Sequence, residues 1–234
     1  MAGRITRKEL KTDKFAVEVE HTVDFVTQHR RPLVLYGSLA VAVALISVGA
    51  YFYIRHQHML REQALADAIQ IQETAVGQQN PNAPMNFATE DAKRAAASKA
   101  FSEIIAKYPG TNEAAIAKYY LGASMAEQGK LADAQRLFQE AVETGDQNYA
   151  SLARFSLAQV YDAENHLADA EKILRDLIAH PTALVSKEQA TIELAKLIAP
   201  TKPAEAKKLL DPLRAQSGPV SQAALGALSD QPAQ

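Results

Sequence analysis

GKLADAQRLFQEAV (Gly129–Val142) and NHLADAEKILRDLI (Asn165–Ile178) are two writings of one segment, 36 residues apart. In each, a small residue is followed four and then three positions later by apolar ones: Ala134, Phe138, Ala141 and Ala170, Leu174, Leu177. Steps of four and three put these side chains on one face of an α-helix. The same register returns 36 residues further on as Ala206, Leu210, Leu213 in PAEAKKLLDPL (Pro203–Leu213). It also occurs 37 residues earlier as Ala97, Phe101, Ile104 in AASKAFSEIIAKYP (Ala96–Pro109). A segment written four times at a near-constant period of this length belongs to stacked units, none of which can bury its apolar face alone.

Ahead of the last three copies lie partner segments of helical period: AAIAKYYLGASMAEQG (Ala114–Gly129), SLARFSLAQVYDAEN (Ser151–Asn165) and EQATIELAKLIAP (Glu188–Pro200). Each carries a Leu beside a small residue or a Leu-Ala pair, namely Leu121-Gly122, Leu157-Ala158 and Leu194-Ala195, where two helices can approach closely. Ser186 and Gln189 have the spacing of a capping box at the start of the last. Breaks fall at Pro109-Gly110, Thr144 to Asp146, His180-Pro181 and the turn from Pro200 to Pro203. With abundant alanine, few aromatics and no Trp, these segments predict an all-α protein, a transmembrane helix followed by an α-solenoid.

Leu121-Gly122, Met125, Gly129, Leu131, Ala134, Phe138 and Ala141 resemble the tetratricopeptide repeat pattern, and Leu157-Ala158, Tyr161, Leu167, Ala170, Leu174 and Leu177 match it again. The flanking copies depart from it. The third has a shorter turn between its helices, and the earliest has no first helix of its own, because the Asn/Pro-rich stretch Gly77 to Asp91 stands in its place. The outer helix from Arg55 is the candidate to fill that gap.

The apolar run LVLYGSLAVAVALISVGAYFYI (Leu33–Ile54) holds 22 residues without a charge. As a helix it would be about 33 Å long, enough for a hydrocarbon core of about 30 Å. It is read as a transmembrane helix, with Tyr36, Tyr51 and Tyr53 near its ends. A cleavable signal peptide would have a shorter head and a shorter apolar stretch. Residues 1–32 carry seven Lys/Arg against Arg55 and Arg61 in the twenty residues after the span, which favours tail inside and repeats outside. Phe15, Val19, Val23 and Val26 make a short amphipathic stripe in that tail, read as a helix lying on the membrane.

The expected organisation is a cytoplasmic tail over 1–32, the span over 33–54, an outer helix over 55–76, a loop over 77–91, repeats over 92–228 with a short capping helix from Pro219, and a disordered tail over 229–234. This whole arrangement is similar to the bacterial membrane-anchored tetratricopeptide-repeat family that includes the ancillary subunit of the Sec translocon. The resemblance implies a single-pass protein of the bacterial inner membrane with its repeats in the periplasm. It implies binding as the activity, beside the translocon and toward periplasmic chaperones, with no cofactor. A cell-envelope or division scaffold of the inner membrane is the alternative of the same class.

An enzyme is the alternative of another class, and the residues offer it little. The chain has no cysteine, which removes disulfides, thiolate zinc sites, a cysteine nucleophile and a lipidated cysteine. His56 and His58, two apart on a helix, diverge, and no glycine-rich phosphate loop, GxSxG or HExxH is written anywhere. A formal charge of −2 does not suggest nucleic acid as a partner. No catalytic, cofactor-binding or metal residue is therefore expected. Projecting the family geometry onto this chain implies a protein-binding groove lined by first helices: Tyr119, Tyr120, Ala123 and Glu127, then Phe155, Gln159 and Asp162, then Ile192 and Lys196. Tyrosines there would suit peptide binding. For Tyr119, Tyr120 and Phe155, packing between neighbouring first helices is the competing role.

Overall fold

The computed structural model describes residues 30–77, 86–216 and 218–229. The amphipathic stripe at Phe15 to Val26 and the tail beyond Ser229 lie outside the described residues. Among the described residues the chain is all helical: α1 (Arg30–Glu73), α2 (Glu90–Lys107), α3 (Asn112–Glu127), α4 (Leu131–Thr144), α5 (Gln147–Ala163), α6 (Leu167–Ala179), α7 (Lys187–Ile198), α8 (Pro203–Arg214) and α9 (Pro219–Ser229). The run Leu33–Ile54 and most of the outer segment are parts of α1. Two compact units divide within that helix, at His58 and Met59.

In the first unit, α1 exposes a continuous apolar surface. Val34, Leu35, Leu39, Leu45, Ile46 and Phe52 are each more than half exposed. The helix is long and apolar enough to cross a membrane.

In the second unit each helix from α2 onward packs chiefly on the next along the chain, while α3 also touches α5 and α7 also touches α9. The core is the repeat register itself. Ala97, Ala134, Ala170 and Ala206 are at most 2% exposed, as are Phe101, Phe138, Leu174 and Leu210. Small residues bring the helix axes together, and the larger ones four positions on fill the space this creates. Gly122 shows how tight the approach is. A Cβ there would lie 2.9 Å from Phe138 Cε1 and 3.3 Å from Leu137 Cβ. Gly122→Ala should therefore lower the melting temperature of the full chain in detergent, although the same change in a helix interior usually gains up to about 1 kcal/mol. A rise in that melting temperature would mean that α3 and α4 have room to spare.

Caps alternate with the repeat. The helices α2, α3, α5 and α7 start on side-chain caps: Thr89, Thr111, Asp146 and Ser186 accept from backbone N–H groups in the first turn. Ser186 Oγ receives Gln189 N–H at 3.1 Å, the bond its capping-box spacing predicted. The helices α4 and α6 have no such cap and instead follow tight left-handed turns, at Gly129 (φ 72°) and Asn165 (φ 61°). In both turns the second N–H reaches back five residues, from Lys130 to Met125 O and from His166 to Tyr161 O, a Schellman closure. Asn takes the glycine position because it is among the few side-chain-bearing residues that tolerate this backbone. The third turn closes without a left-handed residue, and Pro203 sits in the first turn of α8, where no N–H is needed.

The two ends of the stack are closed differently. At the carboxyl end α9 lays Ala224 and Ala227 into the cluster holding Leu210 and Leu213. At the other end Leu65 and Ala68 of α1 join Ala97, Phe101 and Ile104 of α2 and Ile116 and Ala117 of α3 in one cluster. The outer part of α1 thus helps cover the apolar face of α2 at this end of the stack. An ion pair between the partly exposed Arg61 and the buried Glu113, at 3.7 Å, ties it to α3 as well.

Candidate functional site

Two cavities open on the face made by the first helices α3, α5 and α7. One, of about 380 Å³, is lined by Tyr119, Ala123 and Glu127 of α3, Ser156 and Gln159 of α5, and Leu131 and Phe138 of α4. The other, of about 430 Å³, lies between Gln159 and Asp162 of α5 and Glu193 and Lys196 of α7, over Leu174 of α6. Both are lined by Gln159, so they are neighbours along α5, and the pair, with linings from α3, α5 and α7, is called the trough. Ligand-sized pockets fall in this volume range.

Six of the nine residues projected onto this face line the trough: Tyr119, Ala123, Glu127, Gln159, Asp162 and Lys196. The other three do not. Phe155 and Ile192, 8% and 9% exposed, belong to the core shared by α5 through α9. A first helix touches neighbours on both sides, so the position of an apolar residue around it decides between trough and core. Tyr120 stacks on Phe101 of α2, ring centroids 5.2 Å apart and planes 3° from parallel.

Tyr119 lines the trough with one edge and belongs to an aromatic ladder with the other. Its ring meets Tyr120 at 5.4 Å, Phe138 at 5.9 Å and Tyr149 at 6.2 Å. Burial, then the neighbouring Tyr149 and Tyr119 phenols, push the Tyr120 pKa up to about 12. Burial also raises Tyr119, against the lowering effect of its hydrogen bond with Ser156. The sign for stability follows directly. The folded state keeps a proton that the unfolded chain loses near pH 10, so stability is intact below that pH and declines as pH rises toward about 12. In a tyrosine absorbance titration a late-ionising component should appear among the eight tyrosines, and Tyr120→Phe should shrink it. A late component that Tyr120→Phe leaves unchanged would contradict the ladder.

The charged residues outside the trough are largely engaged with one another. Burial alone would raise Glu140, but hydrogen bonds from Lys118 and Arg136 outweigh it and hold the carboxyl below its ordinary range. Glu171 is lowered by hydrogen bonds from Arg175 and Lys202, and Arg175 also reaches Glu205, so this chain of charges laces α6 to the start of α8. The stability these two carboxylates supply is present above pH 4.5 and lost as pH falls through their lowered values.

A larger cavity, about 750 Å³, opens between α4, α5 and α6, lined by Leu157, Tyr161 and Ile173 with Arg154 and Lys172. It has no counterpart in the reading of the sequence. Leu157 and Tyr161 were absorbed there as repeat signature, and the one hint was Val142 and Ile173, apolar side chains lying outside the repeat register. Among the described residues no group of three or more His, Asp or Glu side chains is placed to hold a metal ion.

The sequence matches the family described as tetratricopeptide repeat-like domain over residues 33–180, well over half of the chain. The match runs from the apolar part of α1 through both well-formed repeats. Domains of this kind are typically non-catalytic modules that mediate protein–protein interaction. No curated protein and no solved structure matches the chain.

Proposed function

Since the chain belongs to the tetratricopeptide repeat-like domain family, we propose that it is a membrane-anchored protein-binding module, without catalytic activity, that holds polypeptide in the trough of α3, α5 and α7. The observation that supports this reading is the pair of neighbouring cavities lined from α3, α5 and α7, with Gln159 lining both. The apolar part of α1 is its single membrane span, with the amino terminus in the cytoplasm and the repeats in the periplasm of a bacterial inner membrane. The basic tail and the sparser positive charge after the span support that orientation. Anchoring raises the effective concentration of the trough near membrane partners without any further contact.

The role is that of an accessory subunit of the Sec secretion machinery, one that tethers periplasmic chaperones. What supports it is the resemblance of the tail, the span and the repeats taken together. Topology is tested first, by placing a cysteine at the exposed Lys172 of this cysteine-free chain and labelling intact cells from the periplasm. Labelling only after the membrane is opened would reverse the orientation. Photo-crosslinkers along Leu33–Ile54 and from Arg55 to Arg61 should then capture a translocon subunit. Capture of a division or envelope-assembly protein in its place would overturn the secretion role and leave the binding module standing.

A further inference from the structure

The charge of the trough points to the kind of polypeptide it takes. Three carboxylates line the two cavities, Glu127 in the first and Asp162 and Glu193 in the second, against one ammonium, Lys196. Glu127 and Asp162 are exposed, and among the described residues neither side chain carries an ion pair. Glu193 is held by Gln159 Nε2, which donates to its Oε1 at 3.2 Å and leaves its other oxygen for a ligand. The contrast with Glu140 and Glu171, each shared between two cations of the domain, is direct. Beneath the carboxylates the floor of the first cavity is apolar, made of Ala123, Ala126, Leu131, Phe138 and Val160.

Taking the trough as the protein-binding face, as proposed above, we infer that its occupant is an extended segment bearing lysine or arginine beside an apolar residue. The apolar side chain fills the cavity between α3 and α5. The cationic ones reach Glu127 on one side of it and the Asp162 and Glu193 pair on the other. An acidic segment would meet two uncompensated negative charges at short range, and like-charge juxtaposition discriminates against wrong partners. The backbone of the segment finds an acceptor in the Gln159 side-chain carbonyl and a hydroxyl in Ser156.

The test uses the full chain in lipid nanodiscs and two pools of nonapeptides. The pools share the same Leu, Phe, Ala and Ser positions and differ only in carrying Lys or Glu at the rest. The Lys pool should bind at least tenfold more tightly at low salt, with the ratio falling toward one in about 1 M salt, where screening acts over about 3 Å. Glu127→Gln, Asp162→Asn and Glu193→Gln together should abolish the preference. These substitutions sit at the trough surface, and circular dichroism of the triple variant checks that the stack is intact. Equal binding of the two pools, abolished by Gln159→Trp, would overturn the charge inference and leave the trough as a protein site. Binding that Gln159→Trp leaves untouched, or no binding by either pool, would overturn both.

Discussion

Phe138→Ala lowers the thermal midpoint of the repeat domain by roughly 6–20 °C. The ring is 1% exposed, lies against Gly122, and meets Tyr119 at 5.9 Å. Truncating a buried Phe costs about 3–5 kcal/mol, lost transfer energy plus the cavity left behind, and each kcal/mol moves the midpoint by about 2–4 °C in a domain of this size. The neighbours cannot collapse into the gap. Leu137 Cβ already lies close to Gly122, 3.3 Å from where a Cβ there would sit, and Tyr119 is held on its other side by Tyr120 and Tyr149. Circular dichroism melting of the full chain in detergent reads the shift. A change of less than about 2 °C would mean that the Ala-Phe register does not define the core.

Leu65→Ala has the second-largest effect and tests a different joint. If the outer part of α1 were only a spacer, the substitution would leave the repeats unaffected. Leu65 is instead 8% exposed and Ala68 fully buried, in the cluster that also covers Phe101 and Ile104. A buried Leu truncated to Ala costs about 2–5 kcal/mol. The loss falls on the first unit of a stack in which each unit is stabilised mainly by its neighbours. The melt should broaden and begin earlier, and hydrogen exchange in α2 should accelerate before exchange in α7 and α8. Unchanged exchange in α2 would return α1 to the status of a tether. Asp67, on the same turn, is exposed, and its replacement by Ala should leave the melt in place.

These two residues also mark how far the sequence could be read. The register Ala134, Phe138, Ala141 was legible because a helix approached by another must have a small residue at the crossing, and chemistry leaves few choices there. The turns were legible for a related reason, since a left-handed residue restricts the choice to Gly or Asn, and Gly129 and Asn165 stand in matching places. The place of Leu65 was harder. Its segment lacks the repeat signature, and only the absence of a first helix before Ala97 suggested that something must cover Phe101.

Side-chain direction around a first helix was the least legible feature. Gln159 and Phe155 sit four apart, yet one lines the trough and the other enters the core, because α5 is packed by α3, α4 and α6 on different sides. The cavity between α4 and α6 was invisible for a further reason. It is lined by residues from three helices, and no local sequence pattern encodes a space between them.

Binding in the trough is tested most directly by a photo-crosslinking residue placed at Gln159, which lines both cavities, in the chain at its natural level in cells. A matching probe at Lys172, on the rim of the cavity between α4 and α6, serves as its counterpart. The prediction is discrete protein adducts from position 159, and none from position 172. Adducts from position 172 alone would place the partner on the second-helix face and contradict the trough.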